Sequence, residues 1–230
     1  MRLLGLHAER AFLLCLLMGA PLAAQPRIPR PFLENDQVLI NEPHGQPHDH
    51  KLDRVMVYLQ AGSEVLHFLD GHDEPLKWEA GEVRWSPASG MHVSQAITKI
   101  EPTVTNSVML VDIGIKKAGE PGKVVSTALG ALQVDPKDCK LEFENSKVRV
   151  VRVRIGPRQS VPMHEHVVNH VVVYFTDQNV RETSPEGKAE AVQHKAGDFI
   201  WRGPCKHKVE NLTDKPLDAV VVELKTPPGH

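Results

Sequence analysis

The sequence predicts an all-β protein built as two tandem copies of one small antiparallel sandwich or barrel. Two observations carry that expectation. The first is the texture of the chain: short runs such as "RVMVYLQ", "KVRVVRVRI", "HVVVYF" and "LDAVVVELK" are dense in β-branched residues and separated by Gly, Pro, Asn and Asp, while helical patterns are few. The second is that the chain repeats itself. "HDHKLDRVMVYL" (from His48) lies against "HEHVVNHVVVYF" (from His164), and "WEAGEVRW" (from Trp78) against "HKAGDFIW" (from His194). The spacing agrees as well: His50 to Gly81 and His166 to Gly197 are both 31 positions. With 41% hydrophobic and 24% charged residues, the 230-residue chain has an ordinary globular composition, ample for two cores.

Taken in order, residues 1–24 read as a signal peptide, with Arg2 and Arg10 before the apolar "AFLLCLLMGA" and small residues ending at Ala24. The apolar run is short for a membrane span. The expected setting is secreted or periplasmic, with no membrane association after cleavage. Loss of Arg2, Arg10 and Glu9 takes the formal net charge from −2 to about −3, and no basic cluster interleaved with aromatics marks a nucleic-acid partner. The first unit then occupies residues 25–125. The second occupies 126–230, after the strand pattern is interrupted in "KKAGEPGKVVSTALGALQVDP". Matching "LEND" (from Leu33) to "FENS" (from Phe143) leaves Glu34 14 positions before His48 but Glu144 20 before His164, so the first unit is shorter there by six residues.

The stretch "VPMHEHVVNH" (Val161 to His170) carries the chemistry. If it is one extended strand, His164, His166 and His170 share a face and Glu165 points the other way. Such a row is either a set of metal ligands or polar packing.

These words resemble the two motifs of the cupin superfamily: Gly, five residues, His-x-His, three or four residues, Glu; then Gly, five residues, Pro-x-Gly, two residues, His, three residues, Asn. "HEHVVNH" resembles the first, with His170 in the Glu position. "GDFIWRGPCKHKVEN" resembles a shortened second, giving Gly197, His207 and Asn211. In the first unit "HDHKLDR" supplies His48 and His50 with Arg54 in the Glu position, and "GEVRWSPASGMH" supplies Gly81, Pro87 and His92. The resemblance spans about residues 32–228 and implies two tandem cupin-type jelly-roll β-barrels, a bicupin. It also implies one divalent transition metal (Fe, Mn, Ni, Cu or Zn) held by His164, His166, His170 and His207, since an imidazole-rich, oxygen-poor set suits such ions. His48, His50, Arg54 and His92 form a degenerate counterpart: a pocket for an anion, a metal site with Arg54 turned outward, or a purely structural repeat. A guanidinium that stays charged opposes a divalent ion.

Tyr58, Tyr174, Trp85 and Trp201 read as core. His44, His67, His72, His194 and His230 have no partner spacing. Cys139 and Cys205 are either a disulfide or two thiols. The expected partner is a small organic molecule, bound or converted at the metal by dioxygenase, isomerase or decarboxylase chemistry, or held without turnover, in a monomer or homodimer. For the N-terminal segment, the intact mass of the exported protein is expected to begin at Gln25. A membrane-fraction mass retaining residues 1–24 would refute cleavage.

Overall fold

The structure, a computed structural model, describes residues 32–41, 48–96, 110–119, 123 and 125–227. The expected signal peptide, residues 42–47 of the stretch where the first unit is shorter, and His230 lie outside the described residues, and His44 with them. The first half contains β1 (Leu33–Glu34), β2 (Val38–Ile40), β3 (His48–His50), β4 (Asp53–Tyr58), β5 (Gly62–Phe68), β6 (Asp73–Trp78), β7 (Val83–Ser86), β8 (Gly90–Ala96) and β9 (Leu110–Ile115). The second contains a one-turn helix, α1 (Ala131–Val134), then β10 (Cys139–Glu144), β11 (Val148–Ile155), β12 (Ser160–His166), β13 (His170–Tyr174), β14 (Gln178–Thr183), β15 (Ala189–His194), β16 (Phe199–Arg202), β17 (Cys205–Asn211) and β18 (Leu217–Leu224).

Each half pairs a five-stranded with a four-stranded antiparallel sheet, in matching order: β1-β2-β9-β4-β7 with β3-β8-β5-β6, and β10-β11-β18-β13-β16 with β12-β17-β14-β15. These are the two jelly-roll barrels expected. The repeat extends to single hydrogen bonds. Asn35 Oδ1 accepts from the amides of Gln37 and Val38 at 2.8 and 2.9 Å, and Asn145 Oδ1 accepts from those of Lys147 and Val148 at the same distances. The amides of Gly81 and Gly197 donate to the carbonyls of Tyr58 and Tyr174 at 2.8 Å, from φ values of +83° and +89° that only glycine adopts without strain.

Strand parity explains the valine-rich runs. On β11, β13 and β18, Val148, Val150, Val171, Val173, Val220, Val222 and Leu224 face the other half, while Val151, Ile155, Tyr174, Leu217 and Ala219 face their own barrel. On β2, β4 and β9, Val38, Ile40, Val55, Val57, Val111, Ile113 and Ile115 meet the first set, so both five-stranded sheets contribute seven side chains to one continuous core. A strand buried on both faces needs apolar residues at nearly every position. Trp85 and Trp201 pack at the edge of this shared core.

The expectation of a single strand through His164, His166 and His170 needs correction. β12 ends at His166 and β13 begins at His170 in the opposite sheet, because the chain turns the barrel corner at residues 167–169. β3 and β4 likewise put His50 and Arg54 in different sheets. Cys139 and Cys205 are both free thiols.

Polar groups pin the two halves in register. Gln37, 1% exposed, donates through Nε2 to the carbonyl and hydroxyl of Thr226 at 2.8 and 3.1 Å and accepts from Asn169 Nδ2 at 2.6 Å. Gln37→Ala strands these buried groups and is expected to cost roughly 1–3 kcal/mol in urea unfolding. A midpoint indistinguishable from the parent protein would show that this network contributes nothing.

Candidate metal centre

In the C-terminal barrel, β12 and β17 are hydrogen-bonded neighbours in a register that sets His164 opposite His207. Directly opposed residues hold their Cβ atoms about 5 Å apart. His166 follows two residues on, on the same face, and His164, His166 and His207 offer nitrogens that all lie within 4.8 Å of one another. Among the described residues this is the one such group of three or more His, Cys, Asp or Glu side chains. His170 arrives from β13 and stacks on His166, with ring centroids 4.3 Å apart, beside the three rather than among them.

Three of the four outer nitrogens are already engaged. His164 Nδ1 is 2.8 Å from the Pro162 carbonyl and His170 Nδ1 is 3.2 Å from that of Val168; a carbonyl only accepts, so each Nδ1 carries the proton and leaves Nε2 bare. His166 Nδ1 is 2.9 Å from Glu223 Oε1, and His207 Nδ1 is 3.5 Å from Glu182 Oε2. Metal-binding histidines have this outer arrangement, in which a carbonyl or carboxylate fixes ring and tautomer. The donor chemistry of these residues fits a transition metal.

Burial, before any neighbouring charge, pushes the imidazoles of His164, His166 and His170 down to about 3. His207 adds to this for the first two, and His166 for the third. All three are therefore neutral near pH 7, as ligation requires. Burial works against ionisation of Glu182, but His207 and the forked Arg202 guanidinium, at 2.6 and 2.7 Å, overcome it and hold the carboxyl at about 2. Burial raises Glu223, opposed by Arg149, whose Nε is 3.5 Å away.

These groups line a cavity of about 70 Å³ whose remaining wall is aliphatic, with Tyr174 and Gln178 farther in. Both tyrosines are buried as expected. Tyr174 stacks on His194 at 4.2 Å, and Tyr58 on Trp78 at 4.8 Å. Asn211 is wholly buried and donates to the carbonyls of Ile155, Gly156 and Lys215, stapling the barrel floor away from the histidines.

In the first barrel His50 and His92 bring their ring centroids to 4.9 Å, and Phe68 lies 5.3 Å from His92. β3 pairs with β8 so that His48 faces His92 in register. Arg54 is 1% exposed and bonded to Asp112 on the neighbouring β9. By strand register Arg54 matches His170, Gly114 matches Glu223 and Leu39 matches Arg149. A Cβ at Gly114 would sit 3.0 Å from Leu52 Cδ1 and 3.2 Å from the Leu39 carbonyl oxygen, and in ordinary contact, at 3.4 Å, with Arg54 Nη1.

Glu223, Arg149, Glu182, Arg202 and Gln178 were not singled out from the sequence. Glu223 had a signal, as an acid inside the valine run "DAVVVELK". Glu182 shares the parity of Val180 in "QNVRET", which places it inward.

Neither a family model nor a curated protein matches the sequence. Solved structures do. A cupin domain from Bordetella pertussis Tohama I shares 26% identity over 37% of this chain and 90% of its own, with a TM-score of 0.36. AerE from Microcystis aeruginosa shares 13% over 84% and 90%, at 0.54. Oxalate decarboxylase from Bacillus subtilis, a protein with Mn(II) centres, shares 13% over 86% of this chain and 68% of its own, at 0.50. At such identities the likeness carries the fold.

The neutral histidines give a test. Unfolded, an imidazole takes up its proton near pH 6.5; folded, these three do so only near 3, so the unfolded chain binds more protons in between. Stability of chelator-treated protein should therefore fall as the pH falls below about 6.5, with a limiting slope of ~4 kcal/mol per pH unit for three coupled groups. Urea midpoints that stay level between about pH 7 and pH 5 would contradict this.

Proposed function

We propose that this chain, whose two tandem jelly-roll barrels share the fold of the Microcystis aeruginosa and Bacillus subtilis structures, is a secreted or periplasmic bicupin. It holds one divalent transition metal in its C-terminal barrel and binds or converts a small organic molecule there. The observation that supports this best is the convergence of His164, His166 and His207 within 4.8 Å, with the outer nitrogens of His164 and His166 engaged and burial keeping those two rings neutral. His170 closes one side of the group. When bound, such an ion supplies a Lewis acid that polarises an oxygen of the ligand or lowers the pKa of bound water. Fe, Mn, Ni, Cu and Zn all suit the donors, and Mn is the ion of the Bacillus subtilis decarboxylase.

The chain's own groups do the rest. Glu223 orients His166 and Glu182 faces His207, so that the bare nitrogens point inward. The aliphatic wall excludes water and strengthens each polar contact made inside. Binding without turnover is a second reading, favoured by one observation: Glu182 is locked to Arg202 by two short bonds and is poorly placed to move a proton. Fold does not choose between dioxygenase, isomerase and decarboxylase chemistry.

Elemental analysis of the purified chain is expected to find about one tightly bound metal. His166→Ala should abolish it, whereas His50→Ala and His67→Ala should leave it nearly unchanged, because Arg54 and Asp112 occupy the corresponding part of the first barrel. Two metals per chain, or one lost with His50→Ala, would move the working site to the other half.

A further inference from the structure

The C-terminal cavity contains a group that neither the metal nor the fold accounts for. Gln178 begins β14 and is 5% exposed, yet neither Nε2 nor Oε1 has a hydrogen-bond partner. Its backbone is paired with His194 across β15, and its side chain lines the cavity. Buried amides are almost always paired in both senses, and the exceptions call for an explanation.

Position supplies one. Gln178, Val180 and Glu182 share the inward face of β14, and Glu182 is the residue beside His207. Four residues of strand separate Gln178 from Glu182, a rise of about 13 Å, so the carboxamide stands at the end of the cavity remote from the histidines. Between the two ends the wall includes Val151, Val161, Val172, Val180, Ile200 and Leu217.

Charge narrows the occupant further. The two arginines that line the cavity each face a carboxylate: Arg202 grips Glu182 through both nitrogens, and Arg149 stands 3.5 Å from Glu223. A small dianion entering here would have to break one of those pairs. A neutral molecule would not.

We infer that the cavity takes a neutral, largely aliphatic ligand whose end remote from the histidines presents a donor and an acceptor side by side, as a carboxamide does, and that Gln178 reads that end. The inference deepens the proposed function, since it rests on this cavity being the ligand site. A primary amide satisfies Gln178 Nε2 and Oε1 together through two reciprocal bonds. A ketone satisfies Nε2 alone, and a carboxylate repels Oε1.

The test uses three probes, propanamide, 2-butanone and oxalate, titrated calorimetrically into full-length mature protein, both metal-loaded and chelator-treated. In the parent protein propanamide should bind about tenfold more tightly than 2-butanone, which has the same shape, from the additional hydrogen bond, and oxalate most weakly. Gln178→Leu should erase that preference while leaving the metal content intact, and Gln178→Met, which keeps the unbranched shape, should do the same if the leucine variant does not fold. Equal affinities for propanamide and 2-butanone in the parent, a preference surviving both substitutions, or oxalate binding most tightly would each overturn the inference. Discrimination in protein that elemental analysis finds free of metal as purified, before any chelator, and that takes up none on loading would leave this inference standing and defeat the metal reading instead.

Discussion

The packing of one five-stranded sheet against the other is the constraint on which the rest of the molecule depends. It fixes the parity of every central strand. Once Val148 and Val150 on β11, Val171 and Val173 on β13, and Val220, Val222 and Leu224 on β18 are committed to the shared core, the alternate residues must face the barrel interior. His170, Glu223 and Arg149 are such alternates. A one-residue slip of β18 would move Glu223 into the inter-sheet core and leave His166 without its carboxylate. The inter-barrel core and the candidate metal centre are therefore two faces of the same strands, and neither is formed independently of the other.

That arrangement also explains how the second barrel tolerates charge. Buried ions are costly unless each is paired and bonded. Glu223 sits between Arg149 and His166, and Glu182 between Arg202 and His207. Each carboxylate thus bridges an arginine to a candidate ligand, and together they hold the histidines on both sides of the barrel. Across the inter-sheet boundary, Arg152 extends the same logic: it forks onto Asp218, donates to the Gly81 carbonyl at 2.7 Å and lies over the Phe175 ring at 3.8 Å.

Much of this was legible in the sequence because it depends on local periodicity. Alternation and β-branched runs specify strands, and the recurring words, with Gly81 and Gly197 at matching turns, specify the repeat. The three clustered histidines were readable because two lie on one strand and the third in a recurring motif. What the sequence did not disclose depends on which strands become neighbours. Glu223 meets His166 only because β18, in the five-stranded sheet beside β13, and β12, in the four-stranded sheet, belong to one barrel, and Glu182 meets His207 only because β14 pairs with β17. The corner at residues 167–169 was hidden for another reason: "HVVNH" contains no Gly or Pro, and a lone Asn169 inside an apolar run is a weak turn signal for a switch between sheets.

The same register logic accounts for the inequality of the halves. Where the second barrel has His170, Glu223 and Arg149 converging, the first has Arg54, Gly114 and Leu39, with a new carboxylate at Asp112 in the place of Val221. These exchanges fit together as one change. A guanidinium at position 54 needs a buried anion, which Asp112 supplies, while a side chain at Gly114 would press first on Leu52 and on the Leu39 carbonyl. Leu39 then removes a second cation that would have had no carboxylate of its own, and Asn41 Oδ1 accepts the Asp112 amide at 3.2 Å, steadying the strand that carries the acid. Net charge at this position is balanced in both barrels, by different means: an Arg–Asp pair in the first, and an Arg–Glu pair bonded to a neutral histidine in the second. Only the second balance ends on an imidazole, so the two barrels share a fold and a core and still present different groups to their interiors.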